Sequence, residues 1–316
     1  LGMKAYNDLP NNQLKYIIAK YRWLYQLGLQ GPDMFFYNIP ILRHRDYRNV
    51  GSYMHEHKVN AFFECCLRRI GTIRSRQQQE EAISYLAGFI NHYIADSICH
   101  PYVYGRIGYP VDAPTSMHHG MHAHLENELD AILLWKYKKK KPSEFNQTAT
   151  ICLNGQEIQF ISHFLASCIN ETYYPITYRN NFQVTPAMVH RSIWALRFGC
   201  RTLSDKNGKK KFGIAQVESI FVNHPVASAK MVTDSVTDYR SSCNLNHEAW
   251  GNPWDPTRVS TASFVDLFHE TLDKCSRVYA LLNSAVTDNM PLDKQDLSPL
   301  LTELGNESYH SGLPVD

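Results

Sequence analysis

Three side chains that can bind a metal recur at intervals of one helical turn in GFINHYIADSICHPYVYG, residues 88–105. His92, Asp96 and His100 occupy positions i, i+4 and i+8, which lie close to one face of an α-helix. Most of the residues around them are apolar, which is typical of a helix that packs in a core. Zn²⁺ accepts imidazole nitrogens and carboxylate oxygens as ligands. The spacing therefore favours a metal site on this helix.

A second histidine–carboxylate pair lies in HAHLENELD, residues 122–130, where His122 and Glu126 are again one turn apart. Flanking residues extend the same stripe at His119 and Asp130. One such pair arises by chance on many solvated helices, but two pairs with His100 between them predict a metal centre. The alternatives to His122 as the ligand are His118, His119 and His124.

The composition also favours metal binding over general electrostatic attraction. The chain has 15 histidines, many of them in MHEH (54–57) and MHHGMHAHLE (117–126), yet its formal net charge is only +2. A near-neutral chain has no global attraction for nucleic acid. Basic runs at 138–141 and 209–211 are typical of solvated loops or helix ends, with a phosphate or membrane-surface contact as the alternative. The scattered histidines are expected to be structural: His163, His190, His224, His247 and His269.

The eight cysteines and the lack of a visible targeting signal help to predict the cellular compartment of the protein. None of the cysteines forms a CxxC pair, and several fall in apolar helical patterns, so thiols in a reducing compartment are expected. The sequence contains no apolar run of 18 residues and no visible signal peptide. A cytoplasmic location is therefore favoured. Because the chain begins at Leu1, a secreted protein whose leader was removed is the alternative.

The elements that must position these ligands are predicted to be helices. Apolar residues recur at helical spacing over 14–29, 52–73, 77–99, 117–137, 161–174, 185–203, 213–237 and 263–286. The turn signal Asn154-Gly155 between alternating residues predicts one small hairpin near 150–160. The pattern indicates a single all-α, bundle-like domain over residues 1–292 and a loosely held tail over 293–316. Metal ligands in such bundles project inward from facing helices.

These motifs resemble those of the zinc-dependent phospholipase C family of bacteria, which is related in fold to the single-strand-specific fungal nucleases. YLAGFINHYIADSICHPY followed by HAHLE matches the family's His-x-x-x-Asp helix, its histidine near a proline and its His-x-x-x-Glu helix. The similarity reaches back to LGLQGPDMFFY and GSYMHEHKVNAFF and covers roughly residues 20–135. Beyond residue 150 it is confined to LNHEAWGNPWDP (245–256), to which no catalytic role is assigned.

The resemblance implies an all-helical fold with zinc ions bound in one cleft. One ion would be held by His55, His92 and Asp96, and a second by His100, His122 and Glu126. His57 is the alternative to His55 if the helix register shifts. The family's third zinc takes the N-terminal amine and a first-helix histidine, and Asp96 would bridge to it. No histidine precedes His44, so two zinc ions are expected, with a third only if its ligands lie upstream of Leu1.

Asp33 matches the family aspartate that serves as base or water-orienter, although a turn-forming role after Gly-Pro is the alternative. Neighbouring zinc ions would lower the pKa of a bound water and neutralise charge on a phosphodiester. The features together predict a zinc-dependent phosphodiester hydrolase of the phospholipase C type, without a specific nucleic-acid partner.

Phospholipid is the substrate class that the resemblance implies, and another phosphodiester is the alternative. Phe35, Tyr53 and Tyr102 are predicted to line its cleft, with aromatic core packing as the alternative. Two other functions stay open at this point. One is a single-strand nuclease, which would favour stacking aromatics and a basic groove. The other is a metal-binding protein without turnover.

Overall fold

The computed structural model describes residues 1–37, 49–145, 151–177, 182–202, 205, 207, 209–221, 231, 234 and 238–316. The described part is mainly helical with one two-stranded sheet, which confirms the all-α prediction. Among the helices that the structure describes, none is long and apolar enough to cross a membrane. Much of the predicted helix over 213–237 lies outside the described residues.

Helices follow one another along most of the chain, and a single β-hairpin precedes the last long helix. The α-helices are α1 (Gly2–Asp8), α2 (Gln13–Lys20), α3 (Arg22–Gly28), α4 (Val50–Glu56), α5 (Val59–Thr72), α6 (Arg76–Arg106), α7 (Ser116–Lys138), α8 (Gly155–Tyr173), α9 (Pro186–Thr202), α10 (Lys209–Phe221), α11 (Tyr239–Ser242), α12 (Phe264–Thr287) and α13 (Ser298–Leu304). Short 3₁₀ helices span Gly31–Tyr37 and Pro142–Glu144, and the antiparallel strands are β1 (Trp250–Asn252) and β2 (Asp255–Ser260).

The chain forms two compact units. The first unit comprises Leu1–Ser97, Thr150–Phe198 and Glu270–Asp316, and the second comprises Ile98–Ala149 and Gly199–His269. The predicted boundary after residue 292 is not one of these divisions.

The first unit is organised around the N-terminal part of α6. Its predicted apolar stripe is buried, with Phe89 and Ile90 both 0% exposed. Gly28 of α3 and Gly88 of α6 lie where the two backbones meet, since a Cβ on either would collide with the opposite helix. Only glycine permits so close an approach. α3 ends at Gly28, at this crossing, and the 3₁₀ helix that carries Asp33 begins three residues later at Gly31.

The second unit packs the C-terminal part of α6 against α7, α11 and the β-hairpin. Tyr102 is fully buried in this core beside Leu129 and Phe264, and its hydroxyl donates to the Ser242 carbonyl at 2.7 Å. α6 continues to Arg106, past its predicted end at residue 99 and through Pro101. Because proline costs a helix one backbone hydrogen bond, packing in this core must offset the loss.

The hairpin predicted near 150–160 is wrong. Within the described residues, 155–173 form α8, and the only named strands are β1 and β2 at 250–260. Asn154 is the N-cap: its side chain accepts from the Glu157 N–H at 2.9 Å, and the Glu157 carboxylate accepts from the Asn154 N–H at 2.8 Å. This reciprocal capping box starts a helix where Asn-Gly alone suggested a turn.

The expectation of a loosely held tail after residue 292 also differs from the structure. Residues 298–304 form α13, in which Leu300 and Leu304 are 3% and 0% exposed. Tyr309 is 1% exposed. These buried side chains attach the segment to the first unit. The sequence did not reveal this because the helix is short and the residues between its apolar positions are polar.

Candidate metal centre

The first ligand group is formed by Asp33, His55 and His92, which come from the 3₁₀ helix, α4 and α6. One donor atom of each lies within 4.8 Å of the others. His55 Nε2 is 3.1 Å from Asp33 Oδ1. On α6, Asp96 Oδ2 lies 3.1 Å from His92 Nε2, one turn along the helix. Two imidazoles and two carboxylates therefore meet in this part of the first unit.

The tautomer of His55 is fixed by the helix that carries it. His55 Nδ1 donates to the Gly51 carbonyl at 2.7 Å, because a carbonyl oxygen can only accept. Nε2 then presents its lone pair to the Asp33 carboxylate. Two lone pairs at 3.1 Å repel each other unless a cation or a proton lies between them. A histidine that donates its other nitrogen to a backbone carbonyl is typical of metal sites.

The second ligand group is formed by His100 of α6 with His122 and Glu126 of α7, all within the second unit. His100 Nε2 and His122 Nε2 lie 2.9 Å and 3.0 Å from the same atom, Glu126 Oε1. The two imidazole rings meet edge to face with centroids 5.2 Å apart. Two nitrogens thus converge on one carboxylate oxygen.

Electrostatics keep the Glu126 carboxylate ionised. Burial raises the pKa of this group, but the charge of His122 and hydrogen bonds from His100 and His122 act against burial and prevail. Its pKa therefore lies well below its ordinary value. An anionic oxygen beside two imidazole nitrogens is a donor set that suits zinc, which in catalytic sites takes three protein ligands and leaves one position open. The residues of both groups fit this ion.

The N-terminal half of the chain, which carries both ligand groups, matches a known protein family. A family model described as zinc dependent phospholipase C matches residues 1–177, which is more than half of the 316-residue chain. The chain belongs to the zinc-dependent phospholipase C family. The match confirms the resemblance seen in the motifs, and both ligand groups lie inside the matched range. Comparison with curated proteins and with solved structures gave no match.

Three of the alternative histidines have contacts elsewhere in this member of the family. His118 Nδ1 lies 2.9 Å from Thr115 Oγ1 at the start of α7, and His124 Nε2 is 3.9 Å from Glu128. His57 packs its ring on Tyr53 at 4.4 Å. In the described part of the chain, these three lie outside both ligand groups.

Two of the three aromatic residues predicted to bind substrate are buried in the core. Phe35 is 3% exposed and Tyr102 is 0% exposed, so both are core residues and the prediction that they line a cleft is wrong. Their apolar rings contribute more to packing than to an open surface. Tyr53 is half-buried and stacks near Tyr174 at 5.9 Å.

Trp254 lies in the turn between β1 and β2, and its place near the second ligand group was not predicted from the sequence. Its ring packs edge to face on Tyr104 at 4.9 Å, and Tyr104 in turn lies 4.4 Å from the His122 ring. Gly105 allows this approach, since a Cβ there would collide with the Gly251 carbonyl. The signal was the segment 245–256, which contains two tryptophans, but no local pattern could indicate its place beside the second ligand group.

Gly31 makes room for the first ligand group. It has a φ of +49°, in the left-handed region that favours glycine, and a Cβ at this position would overlap the His92 ring. The Gly31 backbone therefore packs directly on a ligand imidazole, two residues before Asp33.

Replacing Gly31 with alanine is expected to lower the free energy of unfolding by about 1–3 kcal/mol, because the backbone is strained and the His92 ring must move. Zinc bound at the first ligand group should weaken at the same time. Urea unfolding and zinc content measure the two effects. Gly155→Ala is the matched control, since a Cβ there meets nothing within 4 Å. Equal behaviour of the two variants would contradict the role of Gly31.

Proposed function

We propose that the protein hydrolyses phosphodiesters of phospholipids in a zinc-dependent reaction of the phospholipase C type. The observation that carries the proposal is the pair of histidine–carboxylate groups in a chain that belongs to this family. Each group offers two imidazole nitrogens and a carboxylate oxygen, from three elements in the first group and from two helices in the second. Hydrolysis by metal-activated water needs no serine or cysteine nucleophile.

The proposed division of labour keeps the second ligand group as one ligand set. In the first, it gives the carboxylate ligand role to Asp96, whose Oδ2 lies 3.1 Å from His92 Nε2, and keeps Asp33 for the water. His55, His92 and Asp96 hold one zinc ion, and His100, His122 and Glu126 hold a second. When bound, the ions supply Lewis-acid stabilisation of the phosphoryl oxygens and a water of lowered pKa. Asp33 orients this water and accepts its proton. Its side chain is 42% exposed, whereas that of His55 is 1% exposed, so it is the member of the first group open to an incoming substrate.

In the proposed reaction the water oxygen bonds to phosphorus while the bond from phosphorus to the glycerol oxygen breaks. Asp33 takes a proton from the attacking water, and the departing diacylglycerol oxygen gains a proton from solvent. The ordering of His55 by the Gly51 carbonyl and the ionisation of Glu126 are prepared before substrate binds. Such preorganisation avoids reorganisation during the reaction.

The first test is zinc content and substrate choice in the purified protein. About two zinc ions per chain are expected, and a chelator should abolish release of p-nitrophenol from p-nitrophenyl phosphocholine until zinc is restored. Faster cleavage of single-stranded DNA than of phospholipid vesicles would favour the nuclease alternative. Bound zinc with no hydrolysis of either substrate would favour a metal-binding protein without turnover.

Asp96→Asn is expected to lower the zinc content to about one ion per chain and to abolish most of the activity, because an amide is a weaker ligand than a carboxylate. His118→Ala is the control, since His118 contacts Thr115 outside both groups. Two zinc ions retained in the Asp96→Asn variant would exclude this carboxylate from the site.

A further inference from the structure

The C-terminal residues 305–316 lie against the first ligand group, within the first unit. The Tyr309 N–H donates to the His55 carbonyl at 2.9 Å, and the Lys58 N–H donates to the Asp316 carbonyl at 2.9 Å. The end of α4 and the start of α5 are therefore tied by backbone hydrogen bonds to this segment. His55 is the last but one residue of α4.

Tyr309 contacts both histidines of the first ligand group. It is 1% exposed, and its ring centroid lies 4.8 Å from that of His55 and 5.9 Å from that of His92. The same ring packs on Tyr93, the neighbour of His92 on α6, at 4.9 Å. One aromatic side chain thus packs against two imidazoles that come from different helices.

His310 also packs on His55. Their rings are stacked with centroids 4.8 Å apart and an angle of 23° between their planes. His310 Nδ1 lies 3.4 Å from Glu56 Oε1, which holds the ring in that orientation. The His55 imidazole therefore contacts both Tyr309 and His310, while its Nε2 lies 3.1 Å from Asp33 Oδ1.

A second anchor fixes the start of the segment. The Tyr93 hydroxyl donates to Glu307 Oε2 at 2.6 Å and accepts from the Glu307 N–H at 2.9 Å. Because Tyr93 and His92 are adjacent on α6, the segment is attached beside both histidine ligands. The family match ends at residue 177, so the family pattern assigns no role to these residues.

We infer that Tyr309 and His310 are positioning residues that fix the imidazole planes of His55 and His92 for metal binding. The inference rests on the proposed zinc site at the first ligand group. Both rings contact the imidazoles directly, so the inference assigns the effect to the rings. Neighbours that orient metal-ligating histidines commonly change metal affinity by about 10–100-fold when they are replaced.

The test compares Tyr309→Leu, Tyr309→Phe and His310→Ala with the wild-type chain. Zinc retained per chain is measured over a series of chelator concentrations, and the visible absorption of the Co²⁺-substituted protein reports the ligand geometry. Tyr309→Leu and His310→Ala are expected to lose one of the two bound ions at about 10–100-fold lower chelator strength, with a changed Co²⁺ spectrum. Tyr309→Phe should behave as wild type.

Tyr25→Leu is the control for the loss of a buried tyrosine. Tyr25 is 2% exposed, and its hydroxyl donates to the Gly2 carbonyl at 2.8 Å. This variant should lower the melting temperature while leaving the Co²⁺ spectrum unchanged. His310 is partly exposed, so His310→Ala tests the inference even if Tyr309→Leu does not fold.

Three other results would overturn the inference. Wild-type chelator curves and spectra for Tyr309→Leu and His310→Ala would show that the segment only packs. Loss of affinity in Tyr309→Phe would assign the effect to the hydroxyl. If the wild-type chain itself binds no metal, the proposed zinc site fails, and this inference fails with it for that separate reason.

Discussion

Replacing Glu126 with glutamine is expected to remove one zinc ion per chain and about 10³-fold of the phosphodiesterase activity. Glu126 Oε1 is the single atom on which His100 and His122 converge, at 2.9 Å and 3.0 Å. Glutamine keeps the shape but removes the charge that the two imidazoles face. Losing the ion removes several kcal/mol of transition-state stabilisation, and about 4 kcal/mol corresponds to about 10³-fold in rate.

The measurement combines zinc analysis with kcat/KM for p-nitrophenyl phosphocholine. Asp130→Asn is the matched control, because it removes one carboxylate charge from an exposed position one turn further along α7. The control should retain both ions and near wild-type activity. A Glu126→Gln enzyme that keeps two zinc ions and full activity would show that the second ligand group is an ordinary cluster of hydrogen-bonded side chains.

The second ligand group was predictable from the sequence because its geometry is mostly local. His122 and Glu126 are fixed by one turn of α7, and His100 continues the register of His92 on α6. Helical periodicity sets such positions without knowledge of the tertiary structure. The one non-local step, the meeting of α6 and α7, was implied by the family resemblance and not by the helical pattern.

The errors have physical causes that a single sequence does not reveal. Asn154-Gly155 is compatible with a turn or with a helix start, and the choice depended on Glu157 three residues later. Aromatic side chains such as Phe35 and Tyr102 serve either in core packing or in a substrate cleft, and their exposed fractions of 3% and 0% place both in the core.

Tyr309 and Trp254 show the opposite limit. Each lies near a ligand histidine, yet Tyr309 is separated from His55 by 254 residues in the chain, and Trp254 reaches His122 through Tyr104. Neither residue stands in a motif whose spacing specifies chemistry. Contacts of this kind depend on how distant segments close around a site, so they require the structure.

Asp33→Asn is expected to lower kcat by about 10²–10⁴-fold while both zinc ions remain bound, since general-base catalysis contributes rate enhancements of this size. Asparagine fills the same space beside His55 Nε2, but its amide cannot accept a proton from water. KM should change little, because Asp33 is proposed to act on the water and not on the substrate. Zinc content, kcat and KM, measured on the same preparation, test this expectation.

The alternative is that Asp33 is itself a zinc ligand, and the two roles differ in measurable ways. Its carboxylate lies within 4.8 Å of both imidazole donors, so proximity alone fits either role. A ligand's loss should release zinc from Asp33→Asn and Asp33→Ala alike. A base's loss should leave zinc in place, and added formate should restore part of the kcat of Asp33→Ala, because a small carboxylate can occupy the vacated volume and accept the proton. Zinc release without formate rescue would therefore show that Asp33 is a zinc ligand and not the base that acts on the water.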